Sequence, residues 1–354
     1  MLTDFLTFRI FRGKIFFSFE PTKYKGEFKM LVSVLLFAVG LVLLIKGGDW
    51  FVDGATGIAK RFNLPDIVVG ATVVSIGTTL PEVMVSTTGA LAGSGAMAYG
   101  NAIGSIICNT ALIAAISITC NPGPVNVKSM KTPVIFFFAS AAMYCLAAYL
   151  LGTFPRWLGF VMLSVFLVYM FLTVRNGMKN PDAAAEEEEE SASKPRKLWQ
   201  ELLMLVVGAA VIAVGADLLV DHGQIIAREL GVPETVVALL FVALGTSLPE
   251  LVTTITSLKK GRASLGVGNV IGANVFNLVL VSGVAVTLAP FDVPVENTLL
   301  NTGLNLSLVF DIPVMLAVMT LMTIPALLSK KLRRWQGVTL LGIYAAFCVL
   351  QFIL

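Results

Sequence analysis

Long apolar stretches separated by short polar segments run from about residue 31 to the end of this chain. Most of the stretches approach the length of about 20 residues that a helix needs to cross a bilayer. The pattern therefore predicts an all-α polytopic membrane protein with ten transmembrane helices. The predicted spans are 31–45 with an amphipathic continuation to 63, 64–92, 97–119, 133–151, 157–174, 198–220, 232–258, 263–289, 306–329 and 335–354.

A polar segment at 175–197 divides the spans into two sets of five. It holds an Asn-Pro-Asp turn, an alanine run and five consecutive glutamates, which is typical of a solvated linker. A glutamate run could bind Ca²⁺ for regulation, but this one lacks the alternating ligands and turn glycine of a structured calcium loop. We therefore expect a flexible acidic linker between five-helix units at 30–174 and 198–354.

Basic residues are concentrated in alternate loops. The loops after the odd-numbered spans and the linker hold seventeen Lys and Arg residues, whereas the other loops hold only Arg156 and Arg228. Because cytoplasmic loops carry this excess, the linker is predicted to be cytoplasmic and both ends of the spanning region external. Five spans in each half then require the two five-helix repeats to be inverted.

One six-residue motif occurs in both halves, as GTTLPE at 77–82 and as GTSLPE at 245–250. The same offset of 168 residues aligns Asp49 with Asp217 and Gly100-Asn101 with Gly268-Asn269, without a gap from 47 to 109. Glycine- and proline-interrupted segments at matching places in two halves indicate the binding site of a secondary transporter.

The motif chemistry favours a cation. A carboxylate at membrane depth is costly unless it is paired, solvated or bound to an ion. Four-residue spacing places Thr78 with Glu82 on one helix face, and the proline between them frees backbone carbonyls. Such a set of oxygens suits Ca²⁺, which accepts about six to eight oxygen ligands in flexible geometry. Two glutamates would balance one divalent ion or two or more monovalent ions.

Other classes of protein fit the sequence less well. The four cysteines form no metal-binding spacing, and His222 is the only histidine, so no zinc site, resident cofactor or hydrolase chemistry is expected. A cation channel could also use carboxylates for selectivity. The inverted repeat and the broken helices favour a carrier.

With both motif copies and the related segments GNAIGS and GNVIGA, the chain resembles the calcium/cation antiporter superfamily over roughly 31–354, specifically its prokaryotic sodium/calcium exchanger branch. The resemblance implies export of Ca²⁺ in exchange for Na⁺ by alternating access, by a monomeric unit in a bacterial-type plasma membrane. A proton-coupled exchanger of Ca²⁺ or another divalent cation stays open as the alternative.

The resemblance also implies a set of cation ligands with Glu82 and Glu250 at its centre. Ala273 stands where the family commonly has a serine hydroxyl for Na⁺, and Asn277 stands where several relatives have an aspartate, which argues against potassium co-transport. The remaining expected ligands are the hydroxyl, amide or backbone oxygens of Thr78, Thr246, Thr79, Ser247, Ser105, Asn109, Asn277, Ser75 and Ala243.

Residues 1–29 carry six Lys and Arg residues among aromatics and have neither a spanning apolar run nor a cleavage site. So basic a tail conflicts with an external start of the first span. We therefore predict that the functional chain starts at or near Met30, or that 1–29 is disordered. A tail lying on the membrane surface is the alternative.

Overall fold

The structure is a computed structural model that describes residues 7–11, 14–18, 25–62, 64–179, 196–229, 245–294 and 304–353. One turn of π-helix directly precedes or follows several of the α-helices. The helices are α1 (Lys25–Arg61), α2 (Asp66–Val69), α3 (Ser75–Thr78), α4 (Leu80–Leu91), α5 (Gly95–Cys108), α6 (Ala115–Cys120), α7 (Val127–Leu146), α8 (Arg156–Met178), α9 (Leu198–Glu229), α10 (Leu248–Lys259), α11 (Ala263–Phe276), α12 (Ser282–Leu288), α13 (Ile312–Ser329) and α14 (Arg334–Ile353). The π segments are Gly70–Val74, Asn109–Ala114, Ala147–Leu151, Asn277–Val281 and Ser307–Asp311.

Eight spans in the described residues are long and apolar enough to cross a membrane, if the bent pair Asp66–Thr78 and Leu80–Leu91 counts as one. They match eight of the ten predicted spans. The predicted span at 232–258 lies partly outside the described residues, and the predicted last span corresponds to α14, which has 20 residues. The chain is therefore a helical polytopic membrane protein.

The first span is longer than its apolar core. Helix α1 is continuous from Lys25 to Arg61, so the amphipathic continuation predicted after residue 45 belongs to the same helix. Before it, strands β1 (Thr7–Phe11) and β2 (Lys14–Ser18) form an antiparallel pair. Other residues of 1–24 lie outside the described residues, and a start at Met30 stays a prediction.

The first helices of the two halves, α1 and α9, pack against each other in antiparallel fashion. A Cβ on Gly40 would lie 2.9 Å from the Gly215 carbonyl oxygen, and a Cβ on Gly208 would lie 2.9 Å from that of Gly47. Gly208 and Gly215 follow Gly40 and Gly47 by the same 168 positions, so this contact is reciprocal. Small residues permit such a close approach of helix backbones in membranes.

Two short ribbons join loops of different halves. Strand β3 (Gly123–Pro124) pairs antiparallel with β6 (Lys331–Leu332), and β4 (Thr153–Phe154) pairs antiparallel with β5 (Phe291–Asp292). The span Val127–Leu151 runs from β3 to β4. The two ribbons therefore lie at opposite ends of that span.

The centre of the bundle is formed by α5–α6 and α11–α12. In the most apolar parts of these two spans, 72% and 83% of the residues are buried. The corresponding shares are 22% in α1 and 24% in α9. A Cβ on Gly272 of α11 would come within 2.6 Å of the Ala71 backbone, so α11 packs directly on the segment that precedes the first motif. These two spans are thus in the interior, and α1 and α9 lie at the periphery.

Ion pairs between distant elements connect the turn after α10 to the start of α2 and to α1. Arg262 Nη1 lies 2.7 Å from Asp66 Oδ1, and both side chains are buried. Lys260 Nζ lies 2.6 Å from Asp53 Oδ1 and 3.6 Å from Asp49 Oδ1, where the side chains are partly exposed. These pairs involve loops that the charge pattern assigns to the cytoplasm.

Candidate functional site

The first motif breaks its span into two helices. Helix α3 ends at Thr78 and α4 begins at Leu80, with a bend of 46° between the two parts. Pro81 occupies the first turn of α4, where a missing N–H costs least, because helix N-termini leave N–H groups unpaired anyway. Glu82 therefore lies in the first turn of a new helix at the bend, and Thr78 ends the helix before it, whereas the spacing predicted the two residues in one helix.

The second motif has the same local form. Helix α10 begins at Leu248, with Pro249 and Glu250 in its first turn. The hinge residue before each motif helix has nearly the same backbone, with φ −85° and ψ −2° at Thr79, and φ −92° and ψ 5° at Ser247. The described part of this span starts at residue 245, so Ala243 lies outside the described residues.

The two glutamates are fully buried, and each has 0% of its surface exposed. Both oxygens of Glu82 and Oε2 of Glu250 have no hydrogen-bond partner among the described residues. Thr79 Oγ1 donates to Glu250 Oε1 at 3.5 Å, which crosses between the halves. Buried carboxylate oxygens without partners are expensive, and an ion ligated there would offset that cost.

Two further bonds cross between the halves in matching positions. Thr78 Oγ1 donates to Asn269 Oδ1 at 3.1 Å, and Thr246 Oγ1 donates to Asn101 Oδ1 at 3.4 Å. Neither asparagine was among the residues that the sequence assigned to the site. The available signal was the 168-residue offset, which aligns Asn101 with Asn269.

Ser75 joins the same region through its side chain. Its Oγ donates to the Gly70 carbonyl at 2.8 Å and lies 3.0 Å from the Asn269 carbonyl oxygen. The Ser75 carbonyl, which was expected to serve as a ligand, accepts the N–H of Thr79 at 3.0 Å. It therefore keeps a helical hydrogen bond, and only its second lone pair is available to a cation.

Two asparagines mark a local widening of the helices that follow the motifs. Asn109 and Asn277 each begin a π segment, at the ends of α5 and α11. Both are fully buried, and neither side-chain N nor O has a hydrogen-bond partner among the described residues. Single π turns inside α-helices are frequent at functional sites.

Each of these π segments packs on the motif helix of the other half. Helix α10 contacts the segment that begins at Asn109, and α4 contacts the segment that begins at Asn277. One turn before each asparagine lie Ser105 and its aligned residue Ala273, and both are buried. Each glutamate helix therefore contacts the π segment that begins with an asparagine of the other half.

The described residues contain no group of three or more His, Cys, Asp or Glu side chains placed to hold a metal ion. Oxygen ligands for a cation at this site would come from two carboxylates together with hydroxyl, amide and backbone oxygens. That donor set is hard and flexible, which suits Ca²⁺ or Na⁺ better than a tightly held transition metal.

The fold and the site together define a polytopic helical membrane protein with a buried pair of carboxylates in the first turns of two motif helices. The sodium/calcium exchanger protein family matches this chain over residues 32–175 and 201–353. The chain belongs to that family.

Individual relatives cover nearly the whole chain. Sodium/calcium exchanger MaX1 of Methanosarcina acetivorans is 30% identical over 355 residues, which is 91% of this chain and 99% of the relative. An uncharacterized membrane protein of Methanocaldococcus jannaschii is 32% identical over 89% of this chain and 96% of its own length. A solved structure of the sodium-calcium exchanger NCX_Mj, soaked with Na⁺ and Sr²⁺, superposes with a TM-score of 0.74 at 29% identity, covering 90% of this chain and 99% of that one.

Proposed function

We propose that this protein is a secondary antiporter that exchanges Ca²⁺ for Na⁺ across the membrane. The observation that carries the proposal is the pair of fully buried glutamates, Glu82 and Glu250, at proline-broken helix starts in a member of the sodium/calcium exchanger family. Two negative charges balance one Ca²⁺ ion, and they equally balance two Na⁺ ions.

Cations are held by oxygens from both halves of the chain. Glu82 and Glu250 supply the charge, and their unpartnered oxygens are available to an ion. The amide oxygens of Asn109 and Asn277 have no hydrogen-bond partner among the described residues, and their π segments contact the motif helices of the other half. The full ligand set that we assign also contains Thr78, Thr246, Thr79, Ser247, Ser105, Ser75 and Ala243.

Exchange follows from the cost of the empty site. Two bare carboxylates in a low-dielectric barrier resist reorientation, whereas a site neutralised by either cation set can pass between the two faces. Ca²⁺ and Na⁺ then move in opposite directions because the loaded forms alternate. This coupling makes the protein a carrier, whereas a channel would pass one ion without the other.

We assign ten spans in two inverted repeats, 30–174 and 198–354, with the linker at 175–197 in the cytoplasm of a bacterial-type cell. The reciprocal contact of Gly40 with Gly215 and of Gly47 with Gly208 supports a twofold relation between the halves. The two cross-half ribbons at opposite ends of α7 support the inversion. The concentration of basic residues on one side supports the orientation.

Flux measurements on the purified full chain in proteoliposomes test the proposal. Vesicles loaded with Na⁺ are expected to take up ⁴⁵Ca²⁺. Vesicles loaded with K⁺, or bearing only a pH gradient, are expected to take up none. Uptake driven by the pH gradient alone would replace Na⁺ coupling by proton coupling, which the missing hydroxyl at Ala273 makes the second candidate. Uptake that does not depend on any counter-ion would overturn the antiporter.

A further inference from the structure

The threonine–asparagine bonds between the halves are copies of each other. Thr78 bonds to Asn269, and Thr246 bonds to Asn101. Thr246 and Asn269 follow Thr78 and Asn101 by 168 positions each, so each threonine contacts the asparagine that belongs to the other half. A contact made twice in this reciprocal sense, buried in one copy and part-buried in the other, is a feature of the site itself and not of one helix.

A threonine hydroxyl has only one proton to donate, so its hydrogen-bond partner decides where its lone pairs point. A hydroxyl has one proton and two lone pairs, and a cation ligand has to present a lone pair. The Thr78 hydroxyl donates to Asn269, whereas the neighbouring Thr79 hydroxyl donates to the Glu250 carboxylate. Donation to the carboxylate would occupy an oxygen that the cation requires.

We propose that Asn269 and Asn101 are positioning residues. Their amide oxygens accept hydrogen bonds from the hydroxyls of Thr78 and Thr246, and this turns the hydroxyl lone pairs toward the transported cation. This inference rests on the proposed function. An asparagine oxygen accepts the hydrogen bond without adding a third negative charge beside the two glutamates.

The surroundings of Asn101 hold its amide in the orientation that this role requires, whereas the Asn269 amide is fixed through its oxygen, since its Nδ2 has no hydrogen-bond partner among the described residues. Asn101 Nδ2 donates to Ser86 Oγ at 2.9 Å and to the Glu82 carbonyl oxygen at 3.3 Å, which leaves Oδ1 facing Thr246. Asn269 is fully buried, and its Oδ1 lies 3.2 Å from the Ser75 hydroxyl in addition to Thr78. Partners that orient the ligands of a metal typically change its affinity by about 10- to 100-fold when they are removed.

A double-mutant cycle on the full chain tests the role. Asn269→Leu and Thr78→Val are each expected to raise the Ca²⁺ concentration for half-maximal exchange by about tenfold, with a smaller change in maximal rate. The double variant is expected to need no more Ca²⁺ for half-maximal exchange than the more impaired of the two single variants, because Asn269 acts only through the hydroxyl. In a Thr78→Ser background, which keeps the hydroxyl, Asn269→Leu is expected to cost as much as in the parent chain.

Matched controls come from the second copy and from a mismatched pair. Asn101→Leu with Thr246→Val is expected to be non-additive in the same way. Asn269→Leu with Thr246→Val joins residues that do not contact each other, and their effects are expected to add. If Asn269→Leu does not fold, the Asn101 cycle decides the question.

A second measurement separates positioning from packing and from the proposed function. The rise in unfolding temperature that Ca²⁺ causes in the purified chain is expected to follow the same cycle as exchange. An Asn269→Leu cost that persists unchanged in the Thr78→Val background, in both measurements, would overturn the positioning role. Absence of Na⁺-dependent Ca²⁺ flux in the parent chain would instead refute the proposed function.

Discussion

The turns that follow the two motif helices share a backbone and differ in charge. Gly93 after α4 and Gly261 after α10 both have positive φ, +85° and +72°. In each turn the residue after the glycine donates its N–H to the carbonyl five positions earlier, at 2.9 Å in the first half and 2.8 Å in the second. This is the Schellman ending, in which glycine takes the left-handed conformation at no steric cost.

The side chains beside these glycines separate the two halves. Ala92 and Ser94 flank Gly93, whereas Lys260 and Arg262 flank Gly261 and form ion pairs with acidic residues of the first half. The duplicated features are those that shape the backbone and the central site. The features that differ are charges at the ends, where a membrane protein distinguishes its two faces.

The largest effect is expected where the two halves agree most. Glu82→Gln and Glu250→Gln should each reduce Ca²⁺ exchange to background while the protein stays folded, because each removes one of the two charges that balance the ion. The measurement is ⁴⁵Ca²⁺ flux in proteoliposomes. Glu229→Gln makes the same change at an exposed glutamate and should retain flux. Near-normal Ca²⁺ flux in either central variant would refute the ligand assignment.

The buried ion pair of the second turn should have the next largest effect, on stability. Arg262→Met leaves Asp66 buried without its guanidinium partner and is expected to lower the free energy of unfolding by about 3 kcal/mol. Thermal unfolding of the purified protein measures the loss. Combining it with Asp66→Asn should recover part of the stability, and a double variant less stable than Arg262→Met would contradict this account.

Exchanging the hydroxyl that distinguishes Ser105 from Ala273 should shift Na⁺ dependence. Ala273→Ser adds an oxygen at the position aligned with Ser105, and Ser105→Ala removes the first one. We expect the Na⁺ concentration for half-maximal exchange to move by about threefold to tenfold, down in Ala273→Ser and up in Ser105→Ala, with a smaller change for Ca²⁺. Unchanged Na⁺ titrations in both variants would place this position outside a Na⁺ site.

The smallest effect is expected at the exposed end of the same turn. Lys260→Met removes the contacts to Asp53 and Asp49, but these side chains are partly exposed. The loss in stability should stay below about 1 kcal/mol and should shrink at high potassium chloride, because salt screens exposed charges. A loss as large as that of Arg262→Met would show that exposure does not separate the two pairs.

The sequence predicted the spans and the motif helices well because their signals are local. Apolar length marks a membrane helix without reference to its neighbours, and the motif prolines favour helix starts, although Pro133 and Pro325 lie inside α7 and α13. The interrupted span and the carboxylates at membrane depth were predicted from those signals, whereas the position of the hinge at Thr79 came from the structure. The extent of α1 was predicted less sharply, because Lys46 interrupts the apolar run although the helix continues through it to Arg61.

The bonding inside the site was decided by tertiary structure. Thr78 and Asn269 are 191 positions apart, and Arg262 and Asp66 are 196 apart. An internal repeat shows which residues are equivalent, but it does not show that the equivalent partners are exchanged between the halves. That exchange depends on how the two five-helix units pack, and packing depends on backbone contacts such as those of Gly272 with Ala71. The sequence by itself therefore predicted the motif carboxylates and hydroxyls, and only the packed halves decided which residues they meet, Asn101 and Asn269 among them.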